Sequence, residues 1–82
     1  MRSVPSMAYD IDDRSPVPAY RQLADLLRAE IKAGRFEGRP LPSNKQLVQE
    51  TGLAMMTVRH AIEVLAAEDL IVAVPGRGTF VR

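Results

Sequence analysis

The chain has 82 residues, of which 46% are hydrophobic and 26% charged, a length that permits one domain with a small core. It contains no cysteine, which excludes disulfides, thiolate zinc sites and cysteine nucleophiles. It has no apolar run near the ~20 residues of a membrane span, and its net charge of +1 does not by itself indicate a nucleic-acid partner.

Residues 1–17 are predicted to form a flexible N-terminal arm, followed by a folded domain over residues 18–82. The arm contains Pro5, Pro16 and an acidic run at residues 10–13. Proline fixes φ and disfavours a helix in the residue before it. An extended or disordered segment is therefore expected.

The first helix of the domain is predicted over residues 19–33. Its apolar residues recur at the three-four spacing of one helical face, which indicates a buried stripe: Tyr20, Leu23, Ala24, Leu27 and Ile31. Gly34 suits the left-handed residue that ends a helix.

Two further helices follow closely, over residues 44–51 and 55–68. Ser43 is the expected N-cap of the second helix, Gln46 has the spacing to reach back in a capping box, and Gly52 ends the helix. Helices joined so tightly must cross steeply, which is the helix-turn-helix arrangement, with the second of the pair presenting one face to a DNA major groove.

A β-hairpin completes the domain. Residues 70–74 and 79–81 are rich in β-forming residues and flank a proline-glycine turn. Two strands alone are marginally stable, so they must pack on the helices. The expected fold class is mainly α with a small β-hairpin, a winged helix-turn-helix in which the hairpin is the wing.

Several short motifs lie along this domain at characteristic positions. They are PAYRQL at 18–23, IKAGRF at 31–36, LPS at 41–43, TVRHAI at 57–62 and PGRGTFV at 75–81. Together they resemble the N-terminal DNA-binding domain of the GntR family of bacterial transcriptional regulators. The resemblance implies sequence-specific binding of double-stranded DNA by a repressor in the cytoplasm, at the nucleoid, with no enzyme activity, cofactor, metal or membrane contact.

The resemblance also implies partners. In the family a dimer places two recognition helices in successive major grooves of a palindromic operator, and a C-terminal domain binds a small-molecule effector. We therefore expect a homodimer in a full-length regulator and a monomer for the isolated domain. Because the chain ends at the wing, an isolated domain without the effector domain is favoured over a minimal regulator.

The sequence departs from the family pattern at the start of the recognition helix. Where the family usually has serine and then arginine, this chain has Ala54 and Met55, followed by Met56. Lys45 replaces an arginine, which keeps the charge but loses the bidentate fork. Asp69 replaces a glycine after the recognition helix. These changes affect the operator that the domain would prefer.

Candidate DNA contacts in the second helix are Ser43 and Lys45. The Ser43 hydroxyl can cap the helix while the backbone amides there meet a phosphate, and both roles can hold together. Lys45 lies in the first turn, where the helix dipole disfavours a cation. A phosphate partner would account for that placement, and a solvated lysine is the alternative.

Candidate contacts in the third helix are Met55, Met56, Thr57, Arg59 and His60. Arg59 can bind guanine bidentately, and Thr57 can offer its methyl to thymine or its hydroxyl to phosphate. The methionines either contact thymine methyls or, for Met55, pack at the core edge. His60 is expected near a phosphate, since the chain has no second histidine or cysteine to complete a metal site.

The wing supplies the last candidates, Gly76 and Arg77. The glycine permits a tight turn close to DNA, and Arg77 can enter the minor groove or meet a phosphate. A second hypothesis is a winged helix used for protein contacts through its methionines. The salt dependence of the binding affinity distinguishes the two hypotheses, because phosphate contacts release counterions and protein contacts of this kind do not.

Overall fold

The computed structural model describes residues 9–82. The elements are α1 (Ala19–Lys32), α2 (Asn44–Thr51), α3 (Met55–Ala67), β1 (Ile71–Val74) and β2 (Gly78–Val81). Three helices followed by an antiparallel hairpin confirm the predicted winged helix-turn-helix. The predicted helix ends agree with the observed ones to within a residue, which is the usual uncertainty of a helix boundary.

A single apolar cluster fixes α3 against α1. Its fully buried members include Leu23 and Leu27 of α1, Leu47 of α2, and Val58 and Leu65 of α3. Burying each such side chain contributes about 1.5–3 kcal/mol. The buried side of α3 is therefore set by its packing, and the opposite side must face outward.

The cap of α2 forms as predicted, but the capping box does not. The Ser43 hydroxyl accepts a hydrogen bond from the Gln46 amide at 3.0 Å. The Gln46 side chain does not reach back to the cap and instead donates to the Glu50 carboxylate at 3.2 Å. A carboxylate four residues on lies on the same helical face and competes for that amide. The reach-back expected of Gln46 was therefore wrong.

The turn between α2 and α3 is closed by local hydrogen bonds. Gly52 has φ +76°, which glycine adopts readily. The Thr51 hydroxyl donates to the Leu47 carbonyl at 2.7 Å and accepts from the Leu53 amide at 3.1 Å. These bonds fix the direction in which α3 leaves the turn.

The hairpin is attached to the body of the domain at both ends. In the turn, the Arg77 amide donates to the Val74 carbonyl at 2.9 Å. The Leu41 amide donates to the Thr79 carbonyl of β2 at 2.8 Å, and the Arg82 amide donates to the Leu70 carbonyl at 3.0 Å. The wing is thus held in a defined position beside the helices.

The segment predicted as a flexible arm packs on α1 from Tyr9 onward. Tyr9 is 1% exposed, and the Gln22 side-chain amide bonds the Asp12 backbone and the Val17 carbonyl, each at 2.8 Å. The expectation of an extended or disordered arm did not include this packing of residues 9–17, because proline blocks a helix but does not prevent packing. Residues 1–8 lie outside the described residues, and the domain boundary at residue 17 stays a prediction.

The C-terminal end of α3 is tied to α1 by an ionic cluster. The Arg28 guanidinium donates to both Glu68 carboxylate oxygens, at 2.8 and 2.7 Å, and to Asp25 at 2.7 Å. The hydrogen bond from Arg28 lowers the pKa of the Glu68 carboxyl below its usual value. Asp69 follows with φ +62°, the left-handed conformation that a glycine commonly supplies here.

Candidate nucleic-acid interface

The outward face of α3 carries most of the candidate residues of that helix. Successive helical residues are about 100° apart, so burial of Val58, Ala61 and Leu65 turns the opposite side to solvent. The exposed side chains on that side are Met55, Met56, Arg59, His60 and Glu63. We call these five residues the outward face.

One edge of the outward face adjoins the start of α1. The Tyr20 ring stacks on the His60 imidazole, with ring centroids 3.7 Å apart and an interplanar angle of 8°. Thr57, half-buried, lies at this edge. An open groove of about 520 Å³ runs between the two helices, and its lining is Pro18, Ala19, Tyr20, Met56, Thr57, Arg59, His60 and Glu63.

A second groove joins α2 to the wing. It has a volume of about 450 Å³, and its lining is Pro40, Leu41, Pro42, Ser43, Asn44, Ile62, Arg77, Gly78 and Thr79. Ser43 and Arg77, which lie far apart in the sequence, therefore face a common space. This groove contains the N-terminal end of α2, where backbone amides carry partial positive charge.

The predicted site residues thus fall into two groups beside α3. The groove with α1 is lined by Met56, Thr57, Arg59 and His60, and the groove with the wing is lined by Ser43 and Arg77. The remaining candidates line neither groove: Lys45, Met55 and Gly76. All three are exposed, and the positive φ of Gly76, +76°, shapes the tip of the wing.

The cations of this surface are not neutralised within the described part of the chain. The ion pairs among residues 9–82 involve Arg28 and Arg35, neither of which belongs to the outward face. Lys45, Arg59 and Arg77 take part in none of them. Their charges are therefore free to meet an anionic partner, although the net charge of the chain is only +1.

The two helix N-termini beside this surface differ. Ser43 caps α2 with its hydroxyl, whereas Ala54 at the start of α3 makes no side-chain hydrogen bond. The first turn of α3 has no acidic residue. An uncapped N-terminus leaves backbone amides available to an acceptor from outside the chain.

This surface also includes Tyr20, Asn44 and Glu63, which were not among the contacts predicted from the sequence. Tyr20 was assigned to the buried stripe of α1, yet it is half-buried and stacks on the recognition helix. Glu63 lies four residues after Arg59, so helical periodicity places it on the same side. Asn44 follows the cap directly, and only the position of the wing reveals the groove that it shares.

Residues 9–82 contain neither a metal-binding cluster nor a membrane-spanning helix. No group of three or more histidine, cysteine, aspartate or glutamate side chains in this range has an arrangement that could hold a metal ion. No helix within the range combines the length and the apolar character needed to cross a membrane.

Comparison with known proteins places the fold among transcription regulators. A model of the family described as bacterial regulatory proteins, gntR family, matches residues 19–81. The HTH-type transcriptional repressor NagR of Bacillus subtilis (strain 168) is 40% identical over 73 residues, which cover 88% of this chain and 30% of NagR. The chain spans less than a third of the length of NagR and of two other curated relatives that it matches.

Two solved structures resemble the domain closely. YtrA from Sulfolobus acidocaldarius, a GntR-family transcription factor, has a TM-score of 0.80 at 36% identity, covering 89% of this chain and 78% of YtrA. AraR(DBD) in complex with operator ORX1 also has a TM-score of 0.80, at 28% identity, covering 90% of this chain and 96% of AraR(DBD). In that second structure the similar fold is bound to DNA.

Proposed function

Since the chain belongs to the GntR family of bacterial regulatory proteins, we propose that it binds a specific operator in double-stranded DNA and serves as the DNA-binding part of a transcriptional repressor. Its family and relatives are transcription regulators, a class without enzyme activity. NagR is named a repressor, and AraR(DBD) is described in complex with an operator.

The outward face of α3 enters the major groove in this proposal. A B-DNA major groove is about 12 Å wide and admits one α-helix. The observation that carries the proposal is the exposed Arg59 on this face, which lines the groove with α1 and pairs with no carboxylate among residues 9–82. Its guanidinium can donate two hydrogen bonds to a guanine edge.

Backbone contacts flank the reading helix on both sides. On one side, the amides at the start of α2 and the Lys45 ammonium meet phosphate oxygens, and the wing brings Arg77 to the minor groove or the backbone. On the other side, Thr57 and His60 face a phosphate along the groove shared with α1. These contacts position the domain, while α3 supplies the sequence discrimination.

The full-length regulator acts as a homodimer on a palindromic operator in this proposal, and the isolated domain is mainly monomeric. A palindromic site matches the two-fold symmetry of a dimer, with half-sites about one helical turn apart. A small-molecule effector would act through a C-terminal domain. A regulator of this kind works at the nucleoid, in the cytoplasm.

The test is titration of the labelled chain with a duplex selected from a random-sequence pool. Amide shifts at Thr57 and Arg59, and at Gly76 to Gly78, should move on adding the selected duplex. Affinity should fall steeply with salt as counterions are released. If the amide shifts change at neither site, or if the affinity is insensitive to salt, the outward face is not a DNA-binding surface. Protein contact through the methionines then becomes the better explanation.

A further inference from the structure

The first turn of α3 exposes two neighbouring methionines at the end of the helix that meets DNA. Met56 is 70% exposed and Met55 is 42% exposed. Single exposed apolar residues are common on protein surfaces and need no explanation. An adjacent pair at the N-terminus of a recognition helix is different, because this is the part of the helix that contacts base edges.

The same turn lacks an exposed polar side chain that could hydrogen-bond a base. Ala54 has only a methyl group, and Thr57 is half-buried at the edge near α1. Arg59 is the first charged residue of α3. Among base edges in the major groove, thymine presents an apolar group, its 5-methyl.

We propose that Met56, flanked by Met55, contacts the 5-methyl group of a thymine in each operator half-site. The inference rests on the proposed function and adds which base the first turn of α3 selects. Arg59 of α3 and Lys45 of α2, which form no ion pair within residues 9–82, attract the phosphates and hold this turn close to the groove. Thioether carbons then exclude water from the methyl group.

The experiment removes the methyl group alone. A duplex is selected from a random pool by the 82-residue chain at low salt, and each thymine is replaced singly by deoxyuridine. At one position in a half-site the dissociation constant should rise about fourfold, the effect of losing one buried carbon. Deoxyuridine keeps every hydrogen-bonding group of thymine, so only apolar contact distinguishes the two duplexes.

Protein variants assign the effect to the side chain. Met56→Ala should bind the thymine and deoxyuridine duplexes alike, and Met56→Leu should retain most of the discrimination because leucine keeps the apolar contact. Val17→Ala is the matched control, since Val17 is 40% exposed and lines neither groove at the interface. A melt of each variant checks that the fold is unchanged.

The outcomes separate this inference from the proposed function. Tight binding with no deoxyuridine effect at any position overturns the methyl contact and leaves operator binding intact. A deoxyuridine effect that persists in both Met56→Ala and Met55→Ala also overturns it, since another group then reads the methyl. If no duplex is selected at all, operator binding fails and the inference fails with it.

Discussion

Arg59 projects from the outward face of α3 and pairs with no carboxylate among residues 9–82. If it donates two hydrogen bonds to a guanine, Arg59→Ala should weaken operator binding by about 1–3 kcal/mol and relax specificity at that base pair. Titration of the selected duplex, and of duplexes changed at single positions, measures both effects.

Lys32→Ala is the matched control for Arg59→Ala. Lys32 is an exposed cation at the far end of α1 and lines a separate groove with Val81 and Arg82. Both substitutions remove one positive charge, so a general loss of electrostatic attraction would affect them equally. Equal affinity losses would show that Arg59 acts only through its charge, and no loss in Arg59→Ala would remove it from the interface.

The roles of some residues could be predicted from their neighbours in the sequence, whereas the roles of others depend on tertiary contacts. Ser43 and Gly52 were predicted because a cap or a left-handed residue depends on the neighbouring chain alone, and the structure confirms both. The stack of Tyr20 on His60 depends on the angle between α1 and α3. A periodic apolar stripe assigns Tyr20 to a face but cannot specify its partner.

At the scale of the element, the N-terminus of α2 combines a structural bond with a proposed DNA contact. Ser43→Ala removes the hydroxyl that accepts from the Gln46 amide. The free energy of unfolding should fall by about 1 kcal/mol, the usual value of such a cap. Chemical denaturation of the two proteins measures the difference.

Ser43→Asp separates the two roles of this position. Aspartate also caps a helix and interacts favourably with the helix dipole, so stability should be kept. Its negative charge should repel a phosphate in the groove that Ser43 shares with Arg77, so DNA affinity should fall. Unchanged affinity in Ser43→Asp would mean that no phosphate approaches this end of α2.

The elements differed in how far the sequence could specify them. Helix ends followed from proline, glycine and capping residues, and the strands followed from β-forming residues around a turn. The packing of the segment before α1 was not predicted, because it depends on contacts with α1. The Gln22 side chain forms hydrogen bonds with the backbone of this segment at Asp12 and Val17, and the local sequence does not predict those bonds.

At the scale of the whole molecule, the orientation of α3 depends on contacts to α1 along its length. The buried cluster fixes its middle, the Tyr20–His60 stack holds one edge, and the Arg28–Glu68 pair holds its C-terminal end. The composition alone indicated a small core. Tyr9, from outside the predicted domain, adds a fully buried ring to it.

Tyr9 offers the clearest test of that extension of the core. Tyr9→Ala removes a ring that is 1% exposed and should lower the free energy of unfolding by about 3–5 kcal/mol. Tyr9→Phe keeps the ring but loses the hydrogen bond to the Glu30 carboxylate at 2.7 Å, which should cost about 1.5–3 kcal/mol at neutral pH. Denaturant unfolding measures both changes, and a loss under ~0.5 kcal/mol in Tyr9→Ala would place the segment outside the core.

The pH dependence of the Tyr9→Phe difference follows from the phenol. Burial, and then the hydrogen bond to Glu30, raise the pKa of Tyr9 above its ordinary value of about 10. Below about pH 10 the phenol is protonated in both the folded and the unfolded chain, so its hydrogen bond contributes fully to the free energy of unfolding. As pH rises above it, the unfolded chain ionises first, so the advantage of wild type over Tyr9→Phe should shrink. A difference that stays constant from neutral to strongly alkaline pH would show that the phenol is not held in its protonated, hydrogen-bonded form.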